Sequence, residues 1–548
     1  MASLAIVVFI LLTYRYLVYP VLLSPLAKIP PAHWSSSISP IWILYTRRRG
    51  KPNAATHAAH QKLGPIVRLG PNEISVNCVD GGTRIIYGGG YEKGSWYAVF
   101  RNYGATNVFS SPSRAEHSSR KRMMSNVYAK STLQASATLK DVGGKVICRR
   151  LLPELESAAK NEIPVEMYSM FSGAAMDFVS CYIFGTKGGS DFLADPERCK
   201  RWLIDYKARQ DFIFWPQEMP RLTNIAKLLG IKHWLIPRWV DQANANIESW
   251  IMSLCEAVET MDQRNETTGD EETAPVYNQL TTMMKKATEK KKGAALDSDE
   301  KLEIASELLD HIAAGFDTTG ITLTYLAWEL SRPDNTSVQE ALRKELLDTL
   351  PRYQPATADE GHLQMPDLKD LDGLPLLHAI VMESLRLHAA IPGIQPRVTP
   401  PNAELGPIGC SVSGLPAGVR VSSQAYSLHL NEEVFPHAVV WDPYRWINAE
   451  GNVDTGGERG RWFWAFGSGG RMCIGSNLAM LEMKSLVAAI WANFTTQIAD
   501  DRGMAHRDGY ISEPIGTPEG DYLRLRFCAI DSWGAACRSK PADPNTSN

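Results

Sequence analysis

The sequence predicts one large, mainly α-helical domain with a small β portion, set behind an N-terminal transmembrane helix. Three observations predict it. Apolar residues recur at helical spacing from about Ser113 to Pro333 and again through Arg386. Strand-like alternation is confined to short pieces such as Gly64–Val76 and Gly418–Ser423. An apolar segment opens the chain. With 548 residues, 44% hydrophobic and 21% charged, the chain can bury a sizeable single core. A formal net charge of -3 gives no global attraction to nucleic acid, so no nucleic-acid partner is expected.

The elements follow in order. Within residues 1–23, the apolar runs Leu4–Leu12 and Leu17–Leu23 flank Tyr14-Arg15-Tyr16. About 20 apolar residues cross a bilayer as a helix, which the two runs together supply. Arg15 can snorkel to one interface, with Tyr14, Tyr16 and Tyr19 as interfacial aromatics. A cleaved signal peptide is disfavoured, because no basic stretch precedes the apolar run and no small-x-small site ends it. The basic residues come after it, at Lys28 and Arg47–Arg49, which leaves the N-terminus lumenal and the bulk of the chain cytosolic in a single pass. Residues 24–34, with Pro25, Pro30 and Pro31, read as a stiff hinge, 35–530 as the domain and 531–548 as a polar tail. The polar stretch Asp262–Lys292 reads as a solvated connection. One long helix spans about Ser298 to Arg332 and stops at Pro333; at 1.5 Å per residue it is about 50 Å long. A Pro- and Gly-rich stretch fills Pro392–Pro443, and a last helix starts near Gly475 and runs to about Phe494. No GxGxxG or P-loop is present, so electrons for any redox chemistry come from another protein.

Nine cysteines are scattered and never spaced CxxC or CxxCH, which argues against a disulfide framework, a zinc site or a c-type haem attachment. The ordinary reading of each is a small buried hydrophobe. Cys473 differs by context. It lies in Phe466-Gly-Ser-Gly-Gly-Arg-Met-Cys-Ile-Gly475, where clustered glycines permit tight turns and close approach to a large flat ligand. The helix starting behind it favours thiolate over thiol. Arg471, two residues away, suits a carboxylate at the ligand's edge. Farther back, Ala314-Gly-Phe-Asp-Thr-Thr-Gly320 is a poor helix sequence in mid-helix. It reads either as a weak, packed spot or as a groove that admits dioxygen, with a hydroxyl and a carboxylate to deliver protons. Glu383 and Arg386, three apart, share a helix face and can pair.

The ten residues 466–475 match the Phe-x-x-Gly-x-Arg-x-Cys-x-Gly haem-binding signature of the cytochrome P450 family, and the chain resembles that family from about Ser24 to Cys528, with four motifs in the family's order. The resemblance implies that Cys473 is the axial ligand to the iron of haem b, that Phe466 packs near the sulfur and that Arg471 pairs a haem propionate. Ala314–Thr319 is similar to the family's central-helix motif, which makes Asp317 the acid and Thr318 the alcohol of a proton-delivery pair. Glu383-x-x-Arg386 and Asp442–Trp446 resemble the motifs that join Glu383, Arg386 and Arg445 in a structural lock. Arg397 stands where the family places a propionate-binding arginine. Glu116–Arg122 resembles a propionate-contacting helix, with His117 and Lys121 as the contacts, although relatives often carry arginine in place of Lys121. For Arg120–Arg122 a solvated basic face and a dock for an acidic reductase are the other readings. Trp96, Tyr97, Phe100, Phe109, Ala314 and Ile391–Ile394 are pocket candidates by analogy. His311 lines that pocket or is a satisfied structural histidine, and the apolar segments Phe212–Trp215 and Ile231–Trp239 rest on the membrane or pack in the core.

The family expectation is a haem-thiolate monooxygenase of the endoplasmic reticulum membrane, its catalytic domain facing the cytosol. It would insert one atom of O2 into a lipophilic small molecule, with electrons from NADPH through a separate NADPH-cytochrome reductase. The overall look is similar to fungal enzymes of secondary metabolism, which implies a polyketide, peptide-hybrid or terpenoid pathway. Two rivals are a haem-thiolate isomerase or dehydratase that needs no reductase, and a non-catalytic haem-binding sensor.

Overall fold

The computed structural model describes residues 2–263, 274–288, 296–356, 363 and 365–529. The polar tail expected at 531–548 lies outside them. The chain is mainly helical, at 59% helix against 9% strand, as the sequence predicts. Ala2–Thr13 is α-helical and continues as a wider π-type helix, Tyr14–Leu23, around Pro20, which has no N–H to donate. Together Ser3–Leu23 form a helix long and apolar enough to cross a membrane, with its apolar side chains exposed along its length. Residues 24–34, read as a stiff hinge, make contacts with the domain. Leu26 and Ile29 are buried in the core around the small sheet, and the buried Arg68 donates from Nη1 to Pro20 O at 2.7 Å, tying the anchor's end to the domain.

Four strands form the sheet beside the anchor. Ile66–Gly70 and Glu73–Val76 make an antiparallel hairpin; Arg420–Ser422 runs parallel to its second strand, and Arg397–Val398 closes the order. Arg397 thus has its backbone fixed by sheet pairing. A three-stranded sheet joins Val165–Glu166, Arg524–Ala529 and Phe494–Asp500. Its last strand begins where the expected C-terminal helix ends, at Asn493.

The central helix, Ser298–Ser331, is continuous and is started by a capping box between Asp297 and Glu300. It packs along Met167–Phe184. At Gly315 a Cβ would sit 2.8 Å from Val179 Cγ2, so this glycine serves close helix–helix approach. The polar stretch Asp262–Lys292 is not one solvated connection. It contains the helix Pro275–Ala287, whose Val276, Leu280 and Met284, four apart, are buried with Tyr277.

Candidate active site

Cys473 lies ahead of the helix Ser476–Asn493, and its N–H donates to Phe466 O at 3.0 Å, closing the Gly-rich loop. Gly467 and Gly469 hold φ of 68° and 70°. A Cβ at Gly469 would also lie 2.2 Å from Tyr87 O, so only glycine fits there. The Cys473 side chain is accessible to solvent. Burial pushes its thiol up, while the N–H groups of Gly475 and Ser476 and the charge of Lys121 pull the other way. The helix start therefore favours thiolate as the sequence suggests, but burial outweighs it, and a metal cation at Sγ would restore the balance.

Five basic side chains gather around this loop. Arg471 donates to Ser111 O (2.8 Å) and Pro112 O (2.9 Å), and Arg397 to Tyr97 Oη (2.8 Å) and Pro396 O (2.9 Å). Lys121 donates to Gly470 O (3.2 Å) and Met472 O (2.7 Å). Lys93 donates to Phe109 O and lies over the rings of Tyr97 and Phe109 at 4.1 and 4.2 Å. His117 is buried on the same helix as Lys121, Arg114–Met124. Every partner is neutral; among the described residues none of these five makes an ion pair. The repulsion shows in the acidities of Arg471, Lys93 and His117. Burial and then Arg397 bring Arg471 down to about 10, and burial with Arg397 and Arg471 presses Lys93 well below the usual lysine range. Burial, then Arg471, Lys93, Lys121 and Arg397, push His117 down to about 3, so it is neutral at physiological pH. The sequence singled out four of these residues and missed Lys93, a lone lysine between Gly-rich turns with no pattern to mark it.

The central helix sends Asp317 and Thr318 to different surroundings. Thr318 Oγ1 donates to Ala314 O at 2.7 Å. Ala314 is exposed and Thr318 half-buried within an otherwise buried stretch of helix. Asp317 is buried and accepts from Tyr206 Oη (3.2 Å) and Gln210 Nε2 (3.1 Å), both on the helix Pro196–Asp211. Burial and then the repulsion of Glu513 push its carboxyl up to about 7, against the opposing pull of Lys207. Tyr206, Gln210 and Glu513 were not legible in the sequence. His311 is buried, its Nδ1 hydrogen-bonded to Tyr128 Oη at 2.8 Å and its Nε2 3.6 Å from Glu307 Oε1. Arg120 turns inward to Glu116, Glu303 and Glu307, so of the basic run only Arg122 is a fully exposed side chain.

Glu383, fully buried, is saturated. It receives Arg386 at 2.6 and 2.9 Å, Arg445 Nε at 3.0 Å, Trp446 Nε1 at 2.9 Å and the Asp442 N–H at 3.0 Å. This knot fixes the segment leading into the cysteine loop. Above the central helix, Trp96, Tyr97, Phe100 and Phe109 form one aromatic cluster with Tyr510. Beside it opens a cavity of about 800 Å³ that reaches Asp310 and Ala313 on the central helix and Ile394.

A sulfur donor at a helix start, surrounded by cations lacking carboxylates, fits a group that brings a metal to the sulfur and carboxylates to the cations, as haem does. A family model for cytochrome P450 matches residues 35–514. A cytochrome P450 monooxygenase of Penicillium terrestre, macH, is 28% identical over 87% of this chain and 88% of its own length. Cytochrome P450 monooxygenase avaI of Aspergillus versicolor is 26% identical over 77% of this chain and 93% of its own. Tryprostatin B 6-hydroxylase of Neosartorya fischeri is 26% identical over 88% of this chain and 79% of its own. With most of its length covered by the family model and its named relatives monooxygenases, the chain belongs to the cytochrome P450 family.

Proposed function

We propose that the chain is a membrane-anchored haem-thiolate monooxygenase, which oxidises a lipophilic small molecule with O2 and electrons from an NADPH-dependent reductase. The observation that carries this reading is the group of cations left without carboxylates around an accessible Cys473. Arg397, Arg471 and Lys121 would hold the haem propionates, Lys93 would add charge behind them, and the neutral His117 would donate a hydrogen bond. Cys473 would ligate the iron, and Phe466 would wall the sulfur. When bound, the haem supplies oxygen activation at an iron that receives electron density from the thiolate.

The chain's own residues manage protons and exclude water. Asp317, with its carboxyl near 7, can hold a proton at neutral pH and release it toward Thr318. Thr318 Oγ1 exchanges its bond to Ala314 O for one to the incoming group. The aromatic cluster around Phe100 shields the site from bulk water. In Ile231–Trp239, Ile236 is buried while Trp234 and Trp239 are 75% and 53% exposed, and these two tryptophans would rest on the membrane. The anchor would place the domain on the cytosolic side of the endoplasmic reticulum, since the basic Arg47–Arg49 follow the span. The fungal sources of the relatives, one of them a tryprostatin B 6-hydroxylase, support a place in fungal secondary metabolism.

The test is NADPH consumption by the full chain with purified reductase, oxygen and candidate substrates. Product formed in step with NADPH use supports the proposal. Turnover without NADPH would instead make the chain an isomerase or dehydratase, and haem binding without turnover on any substrate would make it a sensor.

A further inference from the structure

The cavity beside the central helix carries a pattern of charge that a purely hydrophobic substrate would not require. Most charged residues along it are accounted for. Arg47 pairs with Glu218 at 2.9 Å, Lys232 with Asp241 at 2.7 Å and Arg507 with Asp211 at 3.4 Å. Glu248 accepts the Tyr103 N–H at 2.7 Å, and Asp508 accepts the N–H groups of Asn53 and Ala54 at 2.9 and 3.0 Å. Arg48, Arg101 and Lys227 are exposed at the rim. Two charged residues remain, both half-buried and neither in an ion pair among the described residues: Arg209 and Asp310. Arg209 gives one hydrogen bond, from Nη2 to Asn102 Oδ1 at 2.9 Å, which leaves most of its five donors without a protein acceptor. The Phe109 N–H lies close enough to Asp310 to favour its charged form, and the carboxyl keeps acceptor capacity free. The two feel each other's charge but do not touch.

A substrate bearing a single charge suits neither residue. An anion bound at Arg209 would face Glu248 and Asp310, and a cation bound at Asp310 would face Arg209 and Lys93. A neutral group with an acceptor beside a donor satisfies both and leaves no net charge buried. We propose that Arg209 and Asp310 together select a lipophilic substrate carrying a secondary amide, with its carbonyl oxygen taken by Arg209 and its N–H by Asp310. The inference rests on the function proposed above and names the class of molecule that the site takes.

The acidity of Asp310 agrees with this. Burial and then Glu307 push its carboxyl up to about 7, opposed by His311 and Lys93, so it is only partly ionised at neutral pH and in either form keeps an oxygen to accept the N–H. The central helix also sets a distance. Asp310, Ala314 and Thr318 are four apart and share a face, with about 12 Å of helix axis between the first and the last. The positions of Asp310 and Thr318 are thus separated by about 12 Å along the helix, so an amide held at Asp310 directs oxidation to carbons remote from it.

The test uses the full-length holoprotein and four probes on one skeleton: N-methyl-2-naphthamide, 2-naphthoic acid, 2-naphthylmethylamine and 2-ethylnaphthalene. Calorimetric titration is expected to show the amide bound about tenfold more tightly than the other three. Arg209→Met and Asp310→Leu should each erase that preference without weakening 2-ethylnaphthalene binding, and Asp310→Asn, which keeps an acceptor, should retain it. Equal affinity for amide and hydrocarbon, tightest binding of the acid or the amine, or a preference that survives both truncations would overturn the inference. Failure of the parent proposal is read separately: it is the absence of the thiolate-type carbon-monoxide spectrum from the same preparation, whatever the calorimetry shows.

Discussion

Arg386 and Arg397 are both buried arginines, eleven positions apart, and their surroundings differ in sign. Arg386 shares Glu383 with Arg445 and Trp446, and its other donors go to His429 O, Ala438 O and Val440 O. Every charge in that knot is answered within the chain. Arg397 sits among Arg471, Lys93, Lys121 and His117, answered only by neutral oxygens and ring faces. A buried charge that the fold pairs internally belongs to the fold. Buried charges of one sign that depress one another's basicity are retained for an anion that arrives later. The difference teaches which arginines hold the structure and which hold the cofactor.

The contrast can be broken from either side, and the largest effect is expected from the knot. Glu383→Gln leaves two arginines facing an uncharged amide, at a cost of about 3–5 kcal/mol, and denaturant unfolding should show it with or without haem. A loss of under about 1 kcal/mol would remove the distinction. Arg397→Leu should behave in the opposite way. The haem-free chain should unfold within about 1 kcal/mol of the parent, because a repelled cation is gone, while haem is lost about tenfold faster to an acceptor protein. Asp317→Asn should remove a pH limb. With the carboxyl near 7, the proton is held below that pH and lost above it, so coupled turnover should fall as pH rises through about 7. The variant's profile should be flat there; an unchanged limb would assign it to another group, with Asp310 the next candidate. Lys93→Met should act like Arg397→Leu but more weakly, about threefold on haem loss, since it stands behind the two arginines.

What could be read in advance follows from contiguity. Cys473, Phe466 and Arg471 lie within ten residues, and Glu383 and Arg386 on one helical turn, so spacing alone marks them. The long central helix was legible from its period and from Pro333. Its two glycines allowed two readings, and the approach of Val179 shows that Gly315 serves packing. Polar composition around it hid the helix Pro275–Ala287, although Val276, Leu280 and Met284 keep a helical spacing. The strand Phe494–Asp500 was lost because it follows the last helix without a turn signal. Lys93, Arg209 and Glu513 belong to separate segments joined only by the fold, and no local pattern marks them. Asp310 did carry a signal: it stands eight residues before Thr318 and so on its face.

The most direct measurement of the central claim is the spectrum of the reduced, carbon-monoxide-treated holoprotein for the parent and for Cys473→Ser. The account predicts the shifted band of a thiolate-ligated iron in the parent and its complete loss in the variant. A band that survives the substitution would show that another residue ligates the iron, and the reading of Cys473 would be wrong.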